Sequence, residues 1–229
     1  MRVKGVVFDL DATLINLGGF VDWRKAHSMA IDAYLSCGCP EDLTSRFGEE
    51  GLFNMLNLIR EENALKMEDV EVERIQERAY TAVESCEWEG ASRCYLLPGC
   101  SSTLRWLDGK KKLMGIATSN SQVVAEWVLE SKEIHRYFSS VVGRRPDLKM
   151  KPYPDQILKC LEEMGVEPDR GVVVGDSVKD VKAAKSAKVI AIAVPSYFTR
   201  RKALEEAGAD FIIEDLGILP KTLSSIDGV

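Results

Sequence analysis

Four short segments carry the side chains best able to do chemistry, and each sits at the end of an apolar run or the start of a helical one. They are Asp9-Leu10-Asp11-Ala12-Thr13, Thr118-Ser119-Asn120, Lys151-Pro152 and Gly175-Asp176-Ser177-Val178-Lys179-Asp180. Gathered in one place, Asp9, Asp11 and Asp176 would repel: two carboxylates about 5 Å apart cost roughly 3 kcal/mol at an effective dielectric near 20. A divalent cation removes that cost. Magnesium takes hard oxygen ligands from one or two carboxylates, a carbonyl, water and a substrate phosphate, which is the set these residues could present. Lys151 and the Thr118 hydroxyl suit the remaining oxygens of such a phosphate, as do backbone amides at a turn or helix N-terminus.

The four segments can meet only if the chain brings them to one edge. Short apolar runs at residues 3–8, 113–117, 172–174, 189–194 and 211–213 have the character of parallel strands buried on both faces. Helical patterns at 122–132, 155–164, 179–187 and 200–207 alternate with them as crossovers do. A doubly wound α/β sheet with right-handed connections follows, and its ligand crevice lies outside the carboxyl ends of the strands. The segment from 17 to 97 breaks this rhythm: it holds no convincing strand and shows helical periodicity at 23–35, 52–62 and 70–86. It reads as an inserted helical bundle, hinged at Gly18-Gly19 and Pro98-Gly99. The expected organisation is therefore a core from residues 1–16 and 98–229, with a helical cap from 17–97.

Composition narrows the function classes. The 229 residues are 45% hydrophobic, enough for a full core, and the net charge of -6 offers no general attraction for nucleic acid. The basic runs 110–112 and 200–202 read as solvated turns or helix faces. The apolar run at 3–8 is too short for a signal-peptide core, and no stretch reaches the roughly 20 apolar residues of a membrane helix. Six scattered cysteines and two histidines assemble no zinc set, so free thiols in a reducing cytoplasm are expected.

With its four segments in this order, the sequence resembles the haloacid dehalogenase superfamily. The phosphatase branch of that superfamily carries Asp-x-Asp-x-Thr, a strand-end Thr or Ser, a Lys, and Gly-Asp-x-x-x-Asp. The likeness covers residues 3–15 and 98–215, and the helical insertion is similar to the cap of its β-phosphoglucomutase-like and phosphoglycolate phosphatase-like members. The resemblance implies a Rossmann-like core and a magnesium-dependent phosphatase acting on a small phosphorylated metabolite, as a monomer or homodimer, with neither nucleic-acid nor membrane partners. It further implies that Asp9 is the nucleophile that becomes an aspartyl-phosphate and Asp11 the general acid and base. Magnesium would be held by the Asp9 carboxylate, the Asp11 carbonyl and Asp176, with Asp180 supporting. Thr118 and Lys151 would hold the phosphoryl group, with Ser119 and Asn120 as further contacts.

Two positions depart from the family pattern. Ala12 stands where many members have Gly, and a Cβ there disfavours a left-handed backbone; Asn16 stands where many have Asp. On the first helix of the insertion, Arg24 and His27 could lean over the crevice toward a distal part of the substrate. Trp23, Tyr34, Phe53 and Trp88 read as bundle core. Asp11 argues against a dehalogenase, which lacks an acid there, and Lys25 has no setting that marks it as a Schiff-base lysine of a phosphonatase. A sugar phosphomutase uses the same acids, but the histidine such enzymes carry shortly after the first motif has no clear counterpart. A non-catalytic regulator that binds a phosphometabolite is the reading from a different class, and the intact acids oppose it.

Overall fold

An apolar run with no polar face is stable only when covered on both sides, and Gly5–Phe8 forms such a fully buried strand, β1. The computed structural model describes residues 3–196 and 199–228. Five parallel strands join the first: β2 (Leu113–Ser121), β3 (Ser140–Arg144), β4 (Gly171–Gly175), β5 (Ile190–Ala193) and β6 (Phe211–Ile212). Their order is β3-β2-β1-β4-β5-β6. The chain winds outward from β1 through β2 to β3, then restarts at β4 on the other side of β1. The winding direction therefore reverses between β1 and β4, and a doubly wound sheet opens its ligand crevice at that reversal.

The insertion that follows β1, residues 17–97, holds four α-helices: α1 (Trp23–Ser36), α2 (Glu41–Phe47), α3 (Leu52–Ala64) and α4 (Asp69–Ala91). The Asp22 side chain caps α1 by accepting from the Lys25 amide. Ala26 and Ala30 are fully buried on α1, and small residues there let it lie close along α4. The Tyr34 hydroxyl, also buried, donates to Gln76 Oε1 at 2.9 Å, and Gln76 Nε2 donates to the Leu56 carbonyl at 2.8 Å, which joins α1, α3 and α4. Both polar side chains are thus satisfied inside the bundle.

After the insertion come α5 (Cys100–Gly109), α6 (Gln122–Ser131), α7 (Asp155–Met164), α8 (Val178–Ser186), α9 (Arg201–Glu206) and α10 (Leu219–Asp227). One apolar core lies on one face of the sheet and runs on into the insertion, from Phe8 and Ile116 through Leu14 and Leu17 to Met55, Ile75 and Val83. The other face carries a second core of Val7, Val173, Ile157, Leu161 and Ala183. The strand β3 and the helices α2, α5 and α10 add to the sequence expectation. β3 escapes it because Ser140-Val141-Val142-Gly143-Arg144 is an edge strand with only two branched apolar residues. Among the described residues no helix is long and apolar enough to cross a membrane, and all six cysteines are free.

Candidate active site

The ladder of β1 continues one residue past the strand, where the Asp9 amide donates to the Val174 carbonyl at 2.8 Å. Beyond Asp9 the chain must turn back sharply. Ala12 does this with φ +60, so it adopts the left-handed backbone that its Cβ disfavours, contrary to the expectation from its residue type. Such a conformation costs about 1–2 kcal/mol. Turn bonds offset that cost: the Ala12 amide to Ile15 O at 2.7 Å and the Leu14 amide to Leu10 O at 2.9 Å. Asp11 Oδ1 accepts from the Gly18 amide at 2.8 Å, and a Cβ at Gly18 would collide with the other oxygen of the same carboxylate. The buried hydroxyl of Thr13 has no hydrogen-bond partner among the described residues. Asn16 pairs the two segments that join the insertion to the sheet, accepting from the Tyr95 amide at 2.8 Å and donating its own amide to Tyr95 O at 3.2 Å.

Lys151 reaches the same place from the loop before α7, its side chain only 4% exposed. Its ammonium bridges Asp9 Oδ1 at 2.6 Å and Asp180 Oδ1 at 2.5 Å. Lys149, the other lysine of that run, instead pairs with Glu61 at the surface at 3.0 Å. Two hydrogen bonds fix the loop, from Asn57 Nδ2 to Met150 O and from the Met150 amide to Asn57 Oδ1. Asp180 closes a capping box at the start of α8, where its Oδ2 accepts from both the amide and the hydroxyl of Ser177. Gly175 makes this possible, because a Cβ there would run into the Cβ of Asp180. Asp176, which follows β4, accepts from Ser196 Oγ at 2.7 Å through Oδ2.

Carboxylate oxygens of Asp9, Asp176 and Asp180 lie within 4.8 Å of one another. Burial, with Asp180 and Asp11 adding to it against the pull of Lys151, pushes Asp9 up to about 7. Asp176 is raised to about 8 by burial, then by Asp180 and Asp9. Asp11 is raised to about 6, chiefly by burial. Burial also opposes the charge on Lys151, but Asp180 and Asp9 outweigh it and hold the ammonium above its usual range. Among the described residues, Asp9 Oδ2 and Asp176 Oδ1 receive no hydrogen bond, whereas both oxygens of Asp180 are engaged. Buried acids with open oxygens and raised proton affinity fit a hard divalent cation.

On the other side of Asp9, the end of β2 presents Thr118, Ser119 and Asn120. Thr118 Oγ1 donates to Asn120 Oδ1 at 3.0 Å and accepts from the Asn120 amide at 3.2 Å. All of these groups border one cavity of about 510 Å³ with Asp9, Asp11, Lys151, Asp176 and Asp180. Arg24 and His27 do not border it. Arg24 is exposed, and His27 Nε2 lies 3.2 Å from Met55 Sδ, one helical turn beyond the crevice. The insertion contributes Trp23, Leu52 and Phe53 to the wall instead, with the Trp23 and Phe53 rings edge to face at 5.5 Å. These two aromatics pack against the edge of the core and wall the site with their open side. Trp88 likewise leaves the bundle core, packing against Trp127 at 5.5 Å between α4 and α6.

Lys179 and Thr199 also line the cavity, and the sequence pattern gives neither a role. Lys179 Nζ stands 5.5 Å from the Phe53 ring centroid, and burial lowers its proton affinity. Its place between two singled-out acids, Asp176 and Asp180, was the signal available.

Residues 6–194 match the model of the haloacid dehalogenase-like hydrolase family. Among curated proteins, the chain is 28% identical over 217 residues to a phosphoglycolate phosphatase of Agrobacterium fabrum, which covers 95% of this chain and 91% of that protein. A phosphoglycolate phosphatase of Escherichia coli is 27% identical over 237 residues, with the same coverage of both chains. Among solved structures, a Thermotoga maritima chain assigned as a β-phosphoglucomutase superposes with a TM-score of 0.63 at 26% identity, covering 99% of this chain and 100% of that one.

Proposed function

Since the chain belongs to the haloacid dehalogenase-like hydrolase family and is a phosphatase of that family, we propose that it hydrolyses a small phosphorylated metabolite through an aspartyl-phosphate on Asp9. The observation that carries this reading is the buried cluster at the sheet's winding reversal, where Lys151 holds one oxygen of Asp9 and leaves the other free to attack. In the first step that oxygen bonds to phosphorus, and the ester oxygen leaves with a proton from Asp11. In the second, Asp11 takes a proton from water, which attacks phosphorus and releases inorganic phosphate from Asp9. A proton affinity near 6 suits Asp11 for giving and taking a proton close to neutrality. Lys151 and Thr118 would hold the phosphoryl oxygens, with Ser119 and Asn120 beside them.

Asp9, the Asp11 carbonyl and Asp176 would hold magnesium, with Asp180 supporting through Lys151 and Ser177. When bound, magnesium would supply the positive charge that keeps Asp9 ionised and offsets charge on the phosphoryl oxygens. Residues 17–97 would form the cap, with Trp23, Leu52 and Phe53 facing the organic part of the substrate. A roofed cavity of this size favours a small molecule, and phosphoglycolate, named for two relatives, is the first candidate. No histidine lines the cavity among the described residues, which favours hydrolysis over phosphomutase chemistry.

The test is hydrolysis of p-nitrophenyl phosphate and phosphoglycolate with magnesium present. Activity should vanish in excess EDTA and in Asp9→Asn, while the variant keeps the native melting profile. Turnover that survives either change would overthrow the reading.

A further inference from the structure

The residues assigned to the phosphoryl group lie where the sheet's hydrogen-bond ladder fails. Ala117 pairs with Val142 and Ser121 with Arg144, so β2 advances four residues while β3 advances two. Thr118, Ser119 and Asn120 fill the resulting bulge, and their backbone groups must find partners elsewhere. Side chains from two elements supply them, and a third element holds the Asn120 side chain and the residue that ends the bulge. Gln156 of α7 donates to both Thr118 O at 2.7 Å and Gly143 O at 2.8 Å. Arg144 of β3 donates to Ser119 O at 2.8 Å. Glu87 of α4 accepts from the Ser121 amide at 3.2 Å and from Asn120 Nδ2 at 3.0 Å.

Glu87 and Arg144 also meet each other, at 3.1 Å and 2.8 Å through two parallel bonds, with both side chains fully buried. Each Glu87 oxygen thus takes two donors, Asn120 and Arg144 on one, Ser121 and Arg144 on the other. The result is directional. With Nδ2 held by Glu87, Asn120 must turn Oδ1 toward Thr118, where it accepts the hydroxyl proton and fixes that side chain.

We infer that Glu87 and Arg144 are positioning residues for the phosphoryl group: the pair sets the Thr118-Ser119-Asn120 bulge, so the helical insertion completes the phosphate site as well as roofing it. This rests on the phosphatase reading, through the assignment of Thr118 and Asn120 to phosphate. Neither residue of the pair lines the cavity or touches the reacting atoms. Their effect passes through Asn120, and a misplacement of about 1 Å at a reacting group costs on the order of a hundredfold in rate.

Glu87→Gln is the sharpest probe, because it keeps the shape and places an amide N–H where every partner is itself a donor. Calorimetry would measure the affinity of the full-length variant for inorganic phosphate in the presence of magnesium, and for magnesium alone. The inference expects phosphate affinity and kcat/KM to fall about tenfold or more, with magnesium affinity unchanged, since Asp9 and Asp176 follow β1 and β4 rather than the bulge. A general loss of structure would weaken both ligands in parallel, and that outcome overturns the inference. Native phosphate affinity in the variant overturns it equally. Should Glu87→Gln fail to fold, the double change Glu87→Met with Arg144→Met leaves no lone buried charge. It should bind magnesium normally and phosphate weakly; native phosphate binding would sink the inference. A native protein that binds magnesium but neither binds phosphate nor hydrolyses an ester would sink the phosphatase reading with it, whereas retained phosphate binding in the variants sinks the inference alone.

Discussion

Asp9 is pulled in two directions, by burial that favours its neutral form and by a lysine that favours its charge, and burial outweighs the lysine. Free aspartate titrates near 3.9, so above about pH 4 the folded chain keeps protons that the unfolded chain has already lost, on Asp9 up to about pH 7 and on Asp176 up to about pH 8. Their contribution to stability is therefore complete at low pH and disappears as pH rises through about 7 and 8. Magnesium binds the ionised form, so its stabilising effect must grow over the same window as protons are released. Melting curves in EDTA and in millimolar magnesium, taken from about pH 5 to pH 8, should diverge steadily as pH rises. A gap that stays constant across that range would refute the assignment of these acids to the metal. At this scale side-chain type and strand-end position were enough to indicate which residues gather around the cavity, as for Asp9, Asp11, Thr118, Lys151 and Asp176. It was silent where backbone geometry decided: nothing in Ala12 announces a φ of +60, and nothing in Trp23 or Phe53 says which way a helix aims its ring.

Elements place these residues through close approaches that leave no room for error. β4 delivers Asp176 and α8 delivers Asp180, and the turn between them is tight enough that Gly175 sits against the Cβ of Asp180. Gly175→Ala should push α8 outward, break the contact of Asp180 with Lys151 and free that ammonium to draw on Asp9 alone. Overpacking of this kind costs roughly 1–3 kcal/mol, so the variant should melt several degrees lower and lose turnover beyond what its unfolded fraction explains. Melting by circular dichroism beside kcat at a temperature where the variant is folded would separate the two effects; native kcat would show that the position of α8 does not matter. The strands β1, β2, β4 and β5 were readable because each carries a continuous apolar run. β3 was not, and with it the Arg144 that ends it stayed hidden, since an edge strand needs little apolar sequence and a buried arginine looks like any surface one until its acid is found.

For the molecule as a whole, the helical insertion is fastened to the sheet at two unlike places. Near α3 the ties are polar: a buried but uncharged pair of hydrogen bonds between Asn57 and the Met150 backbone, and two partly exposed ones, Arg60 Nε to Pro146 O at 3.1 Å and Glu61 to Lys149 at 3.0 Å. Near the end of α4 the tie is the fully buried Glu87 and Arg144 pair, set in an apolar core that runs unbroken from the sheet. Separating a buried ion pair leaves uncompensated charge and costs several kcal/mol, while a neutral hydrogen bond or an exposed ion pair costs about 1 kcal/mol each. A swing of residues 17–97 about Gly18-Gly19 and Pro98-Gly99 as one body is therefore the expensive way to admit substrate. The cheaper motion lets α2 and α3 lift from the loop that carries Lys151 while the second half of α4 stays with the core. Hydrogen exchange on the native protein distinguishes these motions, because opening free energies differ between cooperative units. Amides in residues 80–91 should exchange with the slow core of β1 and β4, and those of α2 and α3 measurably faster. A single exchange rate shared by all four helices, faster than the sheet, would mean that the insertion moves as one lid after all.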